Sequence, residues 1–333
     1  MAEGLVQFLC VFLGFLVGTL YAGKAMKKCI ALKLYNEVND RSSHKTPTPR
    51  GGGYAFVVLT TAFALVWLAF NRDLPQFGYF STLIVTSIFV AYLGWMDDRF
   101  ELSAKTRLLC HVAAAAICTY TLPTLLGTYL PFWLEKTLIV LAWVWFTNLY
   151  NFMDGIDGLA AVQAAFMAIF LSLALPQVAP VLLVLASTVL GILRFNWHPA
   201  RVFMGDVGST YLGFIFAGFM LYGLTQNFEA GFWTALIISA VFIFDSTFTL
   251  VKRLLQGKLP WQAHREHFYQ RAVLMGMSHD QVVKRVILLN SVLFMLALFA
   301  FVRPAAGLWL FTIAAILLAV VAVRIRYLEG GLK

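Results

Sequence analysis

Eleven apolar runs, parted only by short polar or Pro/Gly-marked breaks, make up most of this chain. They lie approximately at 4–26, 51–70, 79–96, 106–122, 134–152, 158–175, 179–195, 209–227, 230–251, 283–302 and 305–324. Each is close to the ~20 residues that a helix with a 1.5 Å rise needs to cross the hydrocarbon core of a bilayer. The runs lack a continuous polar face, which excludes a soluble single domain. Composition agrees: 61% of the 333 residues are hydrophobic and 12% charged, against about 45–50% and about 25% in soluble domains. The expectation is an all-α, polytopic integral membrane protein with about 11 transmembrane helices.

A net charge of +9 would raise the question of nucleic acid in a soluble protein. Here Lys and Arg fall between apolar runs, so topology and anionic lipid or phosphate substrates are the better reading, and no nucleic-acid partner is expected. With the N-terminus outside, 22 of the 25 Lys and Arg lie on the cytoplasmic side, leaving only Arg72, Lys136 and Arg303 outside. The positive-inside rule therefore places the C-terminus in the cytoplasm. The start, Met-Ala-Glu-Gly, lacks a basic n-region, and its run is followed by Lys24, Lys27 and Lys28, so it reads as a retained first membrane helix.

Cys10, Cys29, Cys110 and Cys118 form no CxxC pair, which argues against a disulfide framework or zinc site. No repeat is visible. The expected cytoplasmic loops are about 27–50, 97–105, 153–157, 196–208 and 252–282, too short or too polar for separate domains, so 1–333 reads as one membrane domain.

Five aspartates collect at cytoplasmic helix ends in three loops. Asp97 and Asp98 follow the third run; adjacent carboxylates repel, and a cation such as magnesium, with its preference for oxygen ligands and phosphates, keeps both ionised. In Asn148-Leu-Tyr-Asn-Phe-Met-Asp-Gly-Ile-Asp, the three-residue spacing of Asn148, Asn151 and Asp154 puts oxygen donors on one helix face, with Asp157 following Gly155. In Arg201-Val-Phe-Met-Gly-Asp-Val-Gly, glycines beside Asp206 let backbone approach a ligand before a helix N-terminus. Any single Asp there would be an ordinary solvated helix end; five at one face point to a site. His264, Arg265, His267 and Arg271 form a cationic set suited to phosphate. His44, His111, His198 and His279 lack such context and read as structural. Asp245 lies inside the ninth run, where a carboxylate costs about 2.5–3.5 kcal/mol and needs a partner; Lys252 and Arg253 are near in sequence.

Together and in this order, with His44-Lys-Thr-Pro-Thr-Pro-Arg-Gly-Gly-Gly at the start and His-Arg-Glu-His at the end, these motifs resemble the polyprenyl-phosphate N-acetylhexosamine-1-phosphate transferase superfamily. The resemblance covers most of the chain and implies a single transmembrane transferase domain in the bacterial inner membrane, with its site at the cytoplasmic face. It implies that Asp97 and Asp98 are the catalytic acidic pair, Asp97 the base or nucleophile. Asn151 and Asp206, with Asp98, would hold Mg2+, for which Mn2+ can substitute. Lys45 and Lys105 would contact phosphate, Asn148, Asp154 and Asp157 would adjoin the nucleotide and metal, and Phe203 would stack on uracil. His264, Arg265, His267 and Arg271 would belong to sugar and phosphate recognition.

The implied partners are a UDP-N-acetylhexosamine, undecaprenyl phosphate and membrane lipid, with a homodimer left open. The muramoyl-pentapeptide branch carries three consecutive histidines where this chain has His-Arg-Glu-His. The loop is more similar to initiating transferases of O-antigen and other surface glycans, which use UDP-GlcNAc or 6-deoxy relatives such as UDP-FucNAc and UDP-QuiNAc. The competing reading from another class is an ion-coupled transporter, motivated by Asp245 and the number of spans.

Overall fold

The computed structural model describes residues 12–14, 16–21, 23–24, 27, 35–36, 48–127, 129–259 and 264–330. Among them the fold is helical. α1 (Tyr54–Phe70), α2 (Phe77–Phe100), α3 (Ala104–Thr121), α4 (Phe132–Phe152), α5 (Leu159–Ala174) and α6 (Ala179–Asn196) are followed by α7 (Asp206–Gln226). Then come α8 (Phe228–Ile238), α9 (Ala240–Leu255), α10 (Phe268–Leu274), α11 (His279–Val302) and α12 (Gly307–Gly330). The described residues within 12–21 are also helical, and Tyr35–Asn36 pairs antiparallel with Thr48–Pro49.

Side chains that satisfy free backbone donors set several helix starts. Ser103 accepts from the Thr106 N–H, Asn227 accepts from the Ala230 N–H, and Ser278 forms a capping box with Gln281. Among the described residues, five helical segments are long and apolar enough to cross a membrane: Phe77–Phe100, Pro176–Asn196, Asp206–Gln226, His279–Val302 and Pro304–Gly330. The pair α8 and α9 makes a sixth if counted as one span.

α7 is the centre of the bundle, enclosed chiefly by α2 and α4. Small residues make this possible: a Cβ at Gly213 would sit 2.9 Å from the backbone of Thr147, and one at Gly218 would sit 2.4 Å from Leu83. Where the helices meet, Trp143 Nε1 donates to the Phe214 carbonyl at 3.0 Å and Tyr79 Oη to the Gly218 carbonyl at 2.8 Å. α11 and α12, by contrast, turn Leu288, Met295, Trp309 and Val323 outward. That apolar surface would cost about 25 cal/mol per Å2 in water, and lipid removes the penalty.

The run at 230–251, expected as one continuous span, is broken at Ser239, where α8 and α9 meet at 70°. Ser239 Oγ bonds the Ala235 carbonyl, and Gln163 Nε2 donates to the freed Ile238 carbonyl at 2.8 Å. Side chains thus replace the helical bonds lost at the bend. The 252–282 segment, expected as a loop, contains α10.

Candidate functional site

Three helix ends converge. The last turn of α2 carries Asp97 and Asp98, the last turn of α4 carries Asn151, and α7 begins at Asp206. Backbone bonds hold the Gly-rich segment 51–53 against the strand-like run before α7. Gly52 and Gly53 donate to the Phe203 and Met204 carbonyls at 2.8 Å each, and Phe203 donates to Pro49 at 2.8 Å. Gly205 permits the approach: with φ +76°, it would place a Cβ 2.6 Å from Asp98 Oδ2 and 2.8 Å from the Gly51 nitrogen.

Asp98 is buried, and both of its oxygens are engaged. Oδ1 accepts from Arg50 at 2.9 Å and from the Asp206 N–H at 3.0 Å, while Oδ2 accepts from the Val207 N–H at 3.1 Å. Expected as a catalytic and metal-binding group, it caps the N-terminus of α7, where the helix dipole favours an anion. Asp97 accepts from the Leu102 N–H at 2.7 Å and from Arg107 at 2.5 Å. The same Arg107 nitrogen lies 3.7 Å from Asp206, so the two carboxylates share one cation. Asn151 Nδ2 donates to Asp206 Oδ1 and Ser209 Oγ, both at 2.9 Å, which leaves its Oδ1 as a donor atom for a metal.

Asp154, in the turn after α4, joins this group electrostatically. Burial, then Asp206 and Asp98, push its carboxyl well above the usual carboxylate range, against the pull of Arg50. Four carboxylates facing two arginines leave surplus negative charge, and carboxylate with amide oxygen is the donor chemistry of magnesium. The residues present fit that ion.

Asp157 has different company. Its Oδ2 lies 2.7 Å from His198 Nδ1 and 3.2 Å from His279 Nδ1, and accepts from the Ala200 N–H at 3.2 Å. Burial alone would raise its pKa, but the bonds from His279 and His198, the charge of His279 and the Ala200 N–H together hold the carboxyl below the usual range. The three potential ligand atoms lie within 4.8 Å of one another, a nitrogen-rich set that suits zinc better than magnesium, although their spacing is already that of hydrogen bonds.

The remaining expected residues scatter. Lys45 lies outside the described residues. Lys105 is exposed at the start of α3. Asn148 turns its amide back to the Val144 carbonyl at 2.7 Å. Phe203 is half-buried beside the glycines. His264 and His267 are neighbours, with ring centroids 4.9 Å apart, and Arg265 lies between them in sequence. Arg271 leaves that group: its guanidinium forks onto both oxygens of Glu329 in α12.

Sequence reasoning assigned Arg50 and Arg107 to topology alone, and missed that they neutralise the carboxylates. Arg50 stands directly before the three glycines, which was a usable signal. Arg107 reaches Asp97 only because α2 and α3 form a hairpin. His198 and His279 meet Asp157 across 41 and 122 residues of chain, which no spacing could reveal.

The glycosyl transferase family 4 profile matches residues 80–224. The chain is 28% identical over 324 residues to a Bacillus subtilis (strain 168) protein named "Probable undecaprenyl-phosphate N-acetylglucosaminyl 1-phosphate transferase", covering 92% of this chain and 88% of that one. It is 31% identical over 295 residues to the phospho-N-acetylmuramoyl-pentapeptide-transferase of Synechocystis sp., covering 76% and 74%. To the decaprenyl-phosphate N-acetylglucosaminephosphotransferase of Mycobacterium leprae it is 29% identical over 283 residues, covering 73% and 71%.

Proposed function

The chain belongs to glycosyl transferase family 4, in the superfamily of polyprenyl-phosphate N-acetylhexosamine-1-phosphate transferases, and from that premise we propose that it moves an N-acetylhexosamine 1-phosphate from a UDP-sugar to undecaprenyl phosphate at the cytoplasmic face of the bacterial inner membrane. The topology behind this reading is eleven spans with the N-terminus outside. A lipid phosphate oxygen attacks the β-phosphorus of the UDP-sugar; the bond to the bridging oxygen breaks, UMP leaves, and a lipid diphosphate sugar remains. UDP-GlcNAc or a 6-deoxy relative is the donor, and the product starts an O-antigen or other surface glycan.

The observation that carries this reading is the meeting of Asp97, Asp154, Asp206 and Asn151 with Arg50 and Arg107 beside an apolar cleft. That cleft of about 580 Å3 runs between α9, α11 and α12 and is lined by Met153, Phe244, Val286 and Leu318 among others. Met153 adjoins Asp154, so a lipid tail in the cleft would bring its phosphate to the carboxylates. Asp206 and the Asn151 Oδ1 would hold Mg2+, which when bound supplies charge neutralisation for the phosphates. Asp98 fixes the N-terminus of α7 beneath them. Asp97, bonded to Arg107, accepts any proton on the attacking phosphate. Lys45, Lys105 and the His264–His267 loop take the donor's phosphates and sugar, and Phe203 stacks on the base. Positioning and charge neutralisation carry most of such a reaction.

The test is UMP release by purified protein given undecaprenyl phosphate, Mg2+ and a panel of UDP-sugars. UMP from UDP-GlcNAc or a 6-deoxy relative, requiring both lipid and divalent cation, is expected. UMP only from UDP-MurNAc-pentapeptide would favour the second reading, to which the name of the Synechocystis relative points. Solute flux without UMP would favour a transporter. A stoichiometric UMP burst without lipid would replace direct attack by an Asp97 phosphoryl intermediate.

A further inference from the structure

The two histidines of the His-Arg-Glu-His run are held in opposite ways. His264 Nδ1 accepts from the Glu266 N–H at 3.3 Å. Burial, together with His267 and Arg253, pushes its pKa down to about 4, so it is neutral at cytoplasmic pH. The His267 ring is buried, and its Nδ1 faces the Asp245 carboxylate at 3.0 Å. An ionised carboxylate only accepts, so this contact requires the proton on His267 Nδ1 and leaves Nε2 as the nitrogen available to a ligand.

Asp245 was the carboxylate inside the ninth apolar run whose sequence neighbours, Lys252 and Arg253, offered the obvious pairing. Arg253 instead bonds Glu266 at 2.5 Å. Asp245, on the cytoplasmic half of the bent pair, also accepts from the Phe268 N–H at 2.9 Å and the Tyr269 N–H at 3.1 Å. One carboxylate thereby bonds both His267 and the start of α10. The Tyr269 ring stacks on His267 at 5.7 Å, and its Oη donates to the Phe152 carbonyl at 2.9 Å. A Cβ on Gly155 would come within 2.1 Å of that Oη. The assembly therefore abuts the turn that carries Asp154, and Asp245 itself lines the apolar cleft.

We propose that Asp245 is a positioning residue that locks His267 in the Nδ1-protonated form, so that Nε2 engages the diphosphate sugar of the donor. The proposal rests on the transferase reading above. With its oxygen in the Oδ2 place, an Asn at 245 still accepts from the Tyr269 N–H but gives up the Phe268 N–H, which bonds Oδ1. Its NH2 then faces His267 Nδ1 and drives the proton to Nε2, the wrong form for the same ring in nearly the same place.

The experiment is a double-mutant cycle on full-length protein, measuring UMP release for Asp245→Asn, His267→Gln and the pair. The expected result is a loss of about 10–100-fold for Asp245→Asn, a lower thermal midpoint from the lost Phe268 bond, and no further loss of activity when it is added to His267→Gln. Losses that multiply would overturn the proposal, because a purely structural carboxylate acts independently of the ring. A second measurement holds even if Asp245→Asn fails to fold or the wild type releases no UMP: the 15N spectrum of histidine-labelled wild type, with His267 assigned by His267→Gln. A proton on Nδ1 supports the lock, and a bare Nδ1 overturns it. Absence of UMP from the wild type with a proton on Nδ1 would sink the transferase reading alone.

Discussion

Asp154 and Asp157 stand three residues apart in one turn, yet their surroundings treat them oppositely. Asp154 faces Asp206 and Asp98 and is driven toward its protonated form; Asp157 is ringed by His198, His279 and a backbone N–H and is held ionised. Asp245, bonded to His267 and two N–H groups, belongs with Asp157. A carboxylate supplied with protein partners stabilises a particular geometry, whereas carboxylates left to repel one another mark where an external cation and phosphates are needed. The contrast separates two jobs that identical residue types conceal.

Breaking the repelling group has the largest expected consequence. Asp206→Asn removes a donor atom for the cation and is expected to lower Mg2+-dependent UMP release by about 10^2–10^3-fold, on the several kcal/mol that a bound metal contributes. Near-normal turnover would take Asp206 out of the metal site. Gly205→Ala forces a side chain into a φ region that is essentially glycine-only and into contact with Asp98 Oδ2. It should lower stability by about 1–3 kcal/mol and displace the start of α7; an unaltered thermal midpoint would show that the Asp98 cap tolerates the shift.

The partnered group should answer through stability. Asp157→Asn is expected to cost about 1–2 kcal/mol at neutral pH, less than a fully buried pair because His198 is partly exposed. The sign follows from the depressed pKa. The contribution is complete above the unfolded value near 3.9 and disappears as pH falls through the lower folded value. Thermal midpoints of variant and wild type should therefore converge below about pH 4, and a gap that widens there would contradict the assignment. Smallest of all, Glu329→Gln loosens the fork on Arg271 and should shift stability by about 0–1 kcal/mol, read from the same melts.

Much of this organisation was legible in the sequence because lipid imposes a simple rule: apolar runs become helices, and charged residues collect at their ends. The acidic groups at 97–98, 151–157 and 206 could be placed at one side of the bundle for that reason. What the runs could not reveal was pairing between helices. Arg107 meets Asp97 through a hairpin, and Arg271 finds Glu329 in the last helix. The break at Ser239 was hidden because its freed carbonyl is satisfied by Gln163 from another helix, leaving the local hydropathy unbroken. Asp98 looked equivalent to Asp97 because they are adjacent, yet only the fold turns one onto the α7 terminus and the other toward Arg107.

The most direct measurement is Mn2+ titration of the full-length protein, followed by electron paramagnetic resonance, for wild type, Asp206→Asn and Asp157→Asn. One bound ion per chain in the wild type and in Asp157→Asn, with binding lost in Asp206→Asn, is the predicted result. Retention in Asp206→Asn together with loss in Asp157→Asn would contradict it, and would move the ion to the histidine-lined carboxylate.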